Sequence, residues 1–455
     1  MRTSGSNDDA PGVSAQLSQF LCRTQWEDIP PHVRHEAKRS LLNFFACGLG
    51  GCRDPVIESA SAVLGQFVGP ASATVIGRNE KFDMLNAAFL NAASANVFDF
   101  DDTHGPTIIH PTAPVAPALL AHAESTRISG ETLLLAFVLG METECRIGRA
   151  ISPGHYRRGW HITSTCGVFG AAAATGNALG LSEQQMNWAL GHASAQAGGL
   201  LETLGTMGKS ISVGNAARNG LVAAMFAQQG VSGPAAPLEG TYGFLRVTGD
   251  NPDVSCITRA LGESWEIALN TYKPYPCGIV LMPVIEACFA LIRTDASVAN
   301  EVERVEITAH PLLRERTDRV HPQSGREAQV SAQHAVAVTL TRGRAGLPEF
   351  SDACAVDPTL RALRESVVFK DDPGAAVEGA LVTIHLRDGR ALTQRIDHAH
   401  GSVHRPLSDG DLEQKLKDLI DYGGSKCKAQ LLIDAIWSLE SVNDAGDVIR
   451  LAAGR

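Results

Sequence analysis

The chain has 455 residues, more than one typical domain, so two or three domains with sizeable cores are expected. Its 39 Lys+Arg against 49 Asp+Glu give a formal charge of -10, and no basic block follows a phosphate backbone, which argues against nucleic acid as a partner. No apolar run approaches the roughly 20 residues of a membrane span, and MRTSGSNDDAPGVSAQL is no basic-then-apolar leader, so a cytoplasmic protein without membrane contact is expected.

The first dozen residues, rich in Ser, Gly, Asp and Asn, read as disordered. From there to about residue 266 the text is helical. The runs 166-CGVFGAAAATGNALGL-181, 182-SEQQMNWALGHASAQAGGL-200 and 214-GNAARNGLVAAMFAQQG-230 carry small residues on several faces, which predicts helices packed closely from more than one side. Ser182 with Gln185 makes a capping box, a helix is expected to begin near Gly214, and Gly230 is placed to end it. The ten cysteines contain no C-x-x-C pair and read as reduced, buried thiols.

The prolines of 273-KPYPCG-278 break any helix. Beyond them, 284-VIEACFALIR-293 is helical and 302-VERVEITAH-310 alternates as a half-buried strand. The segments 380-ALVTIHL-386 and 391-ALTQRI-396 form a hairpin across 387-RDGR-390, with its Asp-Gly. Ser408 with Asp411 opens the helix of 408-SDGDLEQKLKDLIDYG-423, and 428-KAQLLIDAIWSLE-440 is a further amphipathic helix. The expected fold is mainly α with an inserted α+β domain. A large helical domain takes residues 1–266 and 401–455, and an α+β lid takes 267–400.

Chemistry concentrates in four islands: 99-DFDDTHGPTIIHP-111, 155-HYRRGWHITST-165, 205-GTMGKSISVGNAARNG-220 and 273-KPYPCG-278. Each alone has a structural explanation, as a helix cap, a satisfied core histidine, a solvated lysine or a turn. Together they suit a small polyanionic substrate. Lys209, Lys273, Arg157 and Arg158 offer cations for carboxylates, and a helix starting near Gly214 offers free N–H groups. His110 and His161 are of the type that moves a proton near neutral pH. Crowding among Asp99, Asp101 and Asp102 implies that one has a raised pKa or orients a histidine. A carbon acid beside a carboxylate ionises only where cations and N–H donors meet the developing enediolate. This is the logic of a proton-abstracting lyase or epimerase. D-F-D-D lacks the D-D-x-x-D spacing of a metal-dependent prenyl synthase, and neither dinucleotide-binding nor phosphate-loop nor G-x-S-x-G motifs occur.

These islands, with 84-MLNAAFLNAASANVFDFDDTH-104, the GWHITSTCGVFGAAAATG run over 159–176 and the tail 404-HRPLSDGDLEQKLKDL-419, resemble the MmgE/PrpD family over nearly the whole chain. That family includes 2-methylcitrate dehydratases, cis-aconitate decarboxylases and iminodisuccinate epimerases. The resemblance implies a homodimer and catalysis without metal or organic cofactor. It also implies catalytic roles for Asp99, His110, His161 and Lys209, and substrate contacts from Thr103 and Lys273, to which Ser212 and Arg157 are added as carboxylate-binding candidates. The chain departs from the family pattern in three places. Ser212 stands where many members have the histidine of K-x-x-H, Cys277-Gly278 stands where decarboxylases place a histidine, and Met282 precedes Pro283 where relatives often show histidine. Serine cannot act as a base near neutral pH. Dehydration of a 2-methylcitrate-like hydroxy acid is therefore the expected activity. The alternatives are epimerisation of an iminodisuccinate-like dicarboxylate, cis-aconitate-type decarboxylation, and an inactive homologue that only binds a metabolite. Arg314, Arg316, Arg319 and His334 in the lid cannot be placed by spacing.

Overall fold

Glycine and alanine set how closely the helices approach. The computed structural model describes residues 11–67, 69–294 and 301–454, so the expectation of disorder for the first dozen residues falls, up to residue 10, outside them. The helices that carry or support the site are α1 (Pro31–Gly51), α2 (Met84–Asn96), α3 (Thr112–Thr126), α4 (Gly130–Ile151), α5 (Ile162–Ala178) and α6 (Gly208–Gln228). A β-carbon on Gly140 of α4 would lie 2.7 Å from the carbonyl oxygen of Gly170 on α5, and one on Gly220 of α6 would lie 2.6 Å from that of Val168. Only a missing side chain permits these crossings, and a larger residue would force the helices apart at a cost of about 1–3 kcal/mol.

The helix α6 starts six residues earlier than expected, at Gly208. The N–H of Gly214 is thereby committed to the helix and is not available to an anion. Its other end follows the sequence. Gly230 has φ +82, its N–H reaches the Ala227 carbonyl at 3.0 Å, and Val231 reaches that of Phe226 at 3.0 Å, a Schellman closure. The predicted capping boxes at Ser182 and Ser408 are both present.

The two largest hydrophobic clusters divide the chain. The first joins buried side chains from Leu17 to Ala452, because the C-terminal helix α9 (Asp409–Tyr422) returns to pack on α1. The contact is close: a β-carbon on Gly423 would lie 2.0 Å from the Leu49 carbonyl. The second core is confined to Cys277–Leu386. There α7 (Met282–Thr294) covers a four-stranded sheet of β3 (Val302–Ala309), β4 (Val367–Asp371), β5 (Ala380–Leu386) and β6 (Ala391–Ile396), in the order β4-β3-β5-β6, and α8 (Ala332–Arg342) packs on α7. β3 pairs parallel with β4 and antiparallel with β5. The chain is thus mainly helical with a smaller α+β unit. The β5–β6 hairpin turns through Gly389 at φ +87. The edge strand β4 has no counterpart in the sequence reading, since its run VVFKD ends in charge and does not alternate. All ten cysteines are free thiols, and all but Cys22 and Cys256 are buried.

Candidate active site

A two-residue ladder brings distant segments together. Thr103–His104 (β1) pairs antiparallel with Asn270–Thr271 (β2), Thr103 opposite Thr271, and Thr271 Oγ1 donates to the Thr103 carbonyl at 2.6 Å. This places Lys273 beside Asp99, where the chain leaves α2 with Asp99 in the left-handed region at φ +50. Lys273 Nζ donates to Asp99 Oδ2 at 3.0 Å and to the Asp99 carbonyl at 2.8 Å. Lys209, in the first turn of α6, donates to Asp99 Oδ1. The left-handed backbone costs roughly 1–2 kcal/mol, and the two ammonium groups that converge on the residue compensate for it.

Asp99, Thr103, His110, His161, Lys209 and Lys273 all line one cavity of about 490 Å³ between the helical part and the lid. Burial pushes the Asp99 carboxyl upward, yet Lys209, Lys273 and His110 together outweigh burial and hold it well below its ordinary value. Asp99 is therefore an anchor for cations and does not share a proton. Asp101 is also buried. His110, with Lys209 and Lys273, outweighs that burial and lowers the Asp101 pKa, and Asp101 Oδ1 lies 3.1 Å from His110 Nδ1. His110 is thus backed by Asp101 on one nitrogen, while Nε2 lies 3.6 Å from Asp99. Asp102 is the aspartate whose pKa rises, to about 6, and burial rather than crowding is the main cause. It lies behind the cavity and accepts from Thr112 and Asn270. His104 is structural: Nδ1 meets Thr107 Oγ1 at 2.8 Å and Nε2 meets Glu266 at 3.0 Å.

His161 caps the start of α5, and its N–H donates to the Gly199 carbonyl at 3.0 Å. Gly199 is required there, because a β-carbon would lie 2.8 Å from Ser164 Cβ. His161 Nδ1 is 2.7 Å from Ser164 Oγ, Ser164 Oγ is 2.6 Å from Ser212 Oγ, and Ser212 Oγ donates to the Lys209 carbonyl at 2.8 Å. A carbonyl only accepts, so the direction of the chain is set. Ser212 donates to Lys209, Ser164 donates to Ser212, and His161 donates from Nδ1–H. Nε2 is left with its lone pair. Burial above all, reinforced by Lys209 and His110, lowers the His161 pKa to about 3, so the ring is neutral at physiological pH.

Three sequence expectations change. Ser212 does not line the cavity. It stands behind His161 and orients it. Arg157 is exposed at the end of the short helix Gly154–Arg157, whose inward residues are His155 and Tyr156, so it is not brought to the cavity. Arg158 pairs instead with Asp250 at 3.1 Å on the surface. The cations missed by motif reading come from the lid. Arg316 and Arg319 line the cavity, half-buried, and among the described residues neither has a carboxylate partner. Arg316 lies 5.0 Å over the Tyr156 ring. Arg326 bridges the two parts, donating to Asp54 at 2.6 Å and to the Val97 carbonyl at 3.0 Å. Arg314 faces away to Asp371, and His334 is buried in the lid core. Thr103 Oγ1 is buried with no hydrogen-bond partner among the described residues, so it is available to a ligand.

Lys415 of α9 is a further missed residue. Buried, it donates to Asn43 Oδ1 at 2.8 Å, to the Phe100 carbonyl at 2.7 Å and to the Lys273 carbonyl at 3.0 Å. Two of its N–H groups clamp the Asp99 loop to the Lys273 segment, and the third ties them to Asn43 of α1. Burial lowers its pKa to about 8. Asp99, Asp101 and His110 bring ligand atoms within 4.8 Å of one another, but Asp99 already carries two ammonium groups, so the donors fit lysine better than a divalent cation.

Residues 15–257 match the MmgE/PrpD N-terminal domain and residues 275–440 the MmgE/PrpD C-terminal domain. The chain is 28% identical over 480 residues to a cis-aconitate decarboxylase of Aspergillus terreus, covering 99% of this chain and 98% of that protein. It is 27% identical over 471 residues to a cis-aconitate decarboxylase-like protein of Aspergillus oryzae, covering 97% of each. It is 28% identical over 438 residues to the cis-aconitate decarboxylase of Homo sapiens, covering 93% of this chain and 90% of that protein.

Proposed function

We propose that this chain, which belongs to the MmgE/PrpD family and is a lyase acting on a small carboxylate, dehydrates a 2-methylcitrate-like hydroxy acid by removing a proton from the carbon next to a carboxylate. The observation that supports this reading is the pair of histidines with opposite preparation on one cavity. His161 is neutral with Nε2 free, whereas the two ring nitrogens of His110 face the carboxylates of Asp101, at 3.1 Å, and Asp99, at 3.6 Å. An elimination of water needs one base and one acid.

In this scheme His161 Nε2 takes the C–H proton and the electron pair forms the carbon–carbon double bond. The C–O bond breaks, and the His110 imidazolium gives its proton to the departing hydroxide, which leaves as water. Lys209 and Lys273 neutralise the enediolate charge as it develops, and Arg316 and Arg319 hold the remaining carboxylates. Exchange with solvent resets the two histidines. A bound polyanion also raises the His161 pKa by offsetting Lys209, so the base strengthens when substrate arrives.

The named activity of the relatives supports a second reading, decarboxylation of cis-aconitate. Against it stand the cations that crowd the cavity, which stabilise a carboxylate in its charged form and so oppose its loss as carbon dioxide. Gly278 also lines the wall without a proton donor. Incubation of the purified protein with citrate-type hydroxy acids and with cis-aconitate, followed by proton NMR and carbon dioxide capture, separates the readings. Alkene formation from the hydroxy acid supports dehydration. Carbon dioxide from cis-aconitate with the hydroxy acids untouched overturns it.

A further inference from the structure

Glu378, His398 and His404 form a cluster that this chemistry does not use, and none of the three lines the cavity. Their placement follows from the backbone. In the lid hairpin Ala380 pairs with Ile396, and two residues further out along the same register Glu378 stands across from His398. The Glu378 carboxylate accepts from His398 Nδ1 at 2.8 Å. The chain then doubles back. Gly401 has φ +92 and donates its N–H to the Arg405 carbonyl at 2.7 Å, and Ser402 bridges to Arg405. This turn lays the His404 ring against that of His398, centroids 4.2 Å apart, with His404 Nε2 at 3.5 Å from the same Glu378 oxygen. Arg405 pins the turn by donating to the His398 carbonyl at 2.8 Å and to Glu286 at 3.0 Å.

We propose that Glu378, His398 and His404 bind a divalent transition metal of the zinc type, clipping the open end of the lid hairpin to the segment that returns to the helical domain. One ligand atom from each of the three residues lies within 4.8 Å of the other two. Around a tetrahedral zinc with bonds of about 2.0–2.1 Å, ligand atoms stand roughly 3.3 Å apart, and the separations of 2.8 and 3.5 Å to the shared carboxylate oxygen bracket that value. Two imidazoles and a carboxylate are donors for zinc or nickel, whereas calcium and magnesium take oxygen. On binding, the metal replaces the proton shared by His398 and Glu378, and the partly exposed position leaves a coordination site for water. The sequence trace is the histidine-rich tract 398-HAHGSVH-404.

The test is calorimetric titration of zinc chloride into untagged, chelator-dialysed full-length protein, repeated on His398→Ala, His404→Ala and His110→Ala. One saturable equivalent per chain is expected, weakened by roughly tenfold or more in each of the first two variants and retained in His110→Ala. Excess calcium chloride should not compete. The proposal is overturned if no saturable equivalent is found, if it survives both lid variants at full affinity, or if it disappears in His110→Ala, which would place the metal at Asp99 and Asp101. Circular dichroism of each variant identifies loss through misfolding, in which case Glu378→Gln replaces it and must weaken zinc binding for the proposal to stand.

Discussion

The two walls of the cavity treat charge in opposite ways. On the helical wall Asp99 holds Lys209, Lys273 and His110 in one paired network, and Lys415 braces it from behind. On the lid wall Arg316 and Arg319 face the same space with no carboxylate partner among the described residues. A paired, buried network has its geometry set before substrate arrives, which suits groups that handle a proton. Unpaired, half-buried guanidinium groups are completed by the ligand, which suits recognition. On the proposed function, the helical wall would carry the reaction and the lid the choice of acid.

Unpairing the helical wall gives the largest expected effect. Asp99→Asn leaves two lysines converging on a neutral amide, and breaking a buried pair costs about 3–5 kcal/mol. Denaturant unfolding should register that loss, and kcat should fall by roughly a thousandfold or more because proton handling depends on the network. An Asp99→Asn enzyme with wild-type kcat would remove the basis for assigning reaction to this wall. Lys415→Met comes next. It removes the Lys415 donor from the Lys273 carbonyl and leaves that of Phe100 with Cys47 Sγ alone, an unsatisfied buried carbonyl being worth about 1–3 kcal/mol, while Lys415 itself does not line the cavity. We expect a lower melting temperature and a fall in kcat with KM nearly unchanged. A change in KM alone would assign Lys415 to binding instead.

The lid should respond differently. Arg316→Ala and Arg319→Ala each remove a hydrogen-bonding cation to the substrate, worth about 1.5–3 kcal/mol, so KM should rise roughly 10–100-fold while kcat and folding stability stay near wild type. If either variant loses kcat as Asp99→Asn does, the division between the walls fails. The sharper outcome is a changed ranking of acids in a substrate panel.

The difference between the walls also explains what the sequence disclosed. Asp99, Thr103, His110, His161, Lys209 and Lys273 sit in short motifs beside helices of tiny residues, so each announces itself locally, and all six meet at the cavity. Arg316 and Arg319 have no such context. Their facing depends on how Pro311–Thr317 and the following turn sit on the lid sheet, which is a tertiary result. Lys415 lies on an amphipathic helix where a lysine ordinarily points to water, and it turns inward because three carbonyl oxygens await it. Arg157 failed for the converse reason: adjacent positions on one helical turn face different ways, and Tyr156 took the inward one. The inserted α+β unit was readable because alternation and an Asp-Gly turn are local signals, whereas β4 shows no alternation.

Proton linkage offers a gentler probe of the helical wall. Burial, with Lys209 and His110, lowers the His161 pKa from 6.5 to about 3, so the unfolded chain binds this proton first as pH falls. The stability it contributes is complete above about pH 6.5 and is lost as pH drops toward 3. In activity, kcat/KM should show no acid limb from His161 between pH 5 and 8. NMR titration of the imidazole should find the pKa raised when a non-reacting tricarboxylate is bound. A free-enzyme pKa near 6.5 would show that the surrounding cations do not control this base.

The smallest effect expected is at Ser212. In Ser212→Ala, Ser164 no longer has an acceptor for its hydroxyl proton and is free to give it to His161 Nδ1, which moves the ring proton to Nε2 and blocks the base. Because Ser164 still offers a lone pair to Nδ1–H, both tautomers become populated. A mixture with comparable populations lowers kcat by at most about tenfold, with KM unchanged since Ser212 does not line the cavity. Nitrogen NMR of the imidazole reads the tautomers directly. A single Nδ1–H tautomer in both proteins, with equal kcat, would mean that the Lys209 carbonyl does not set the direction of the chain through Ser212 and Ser164.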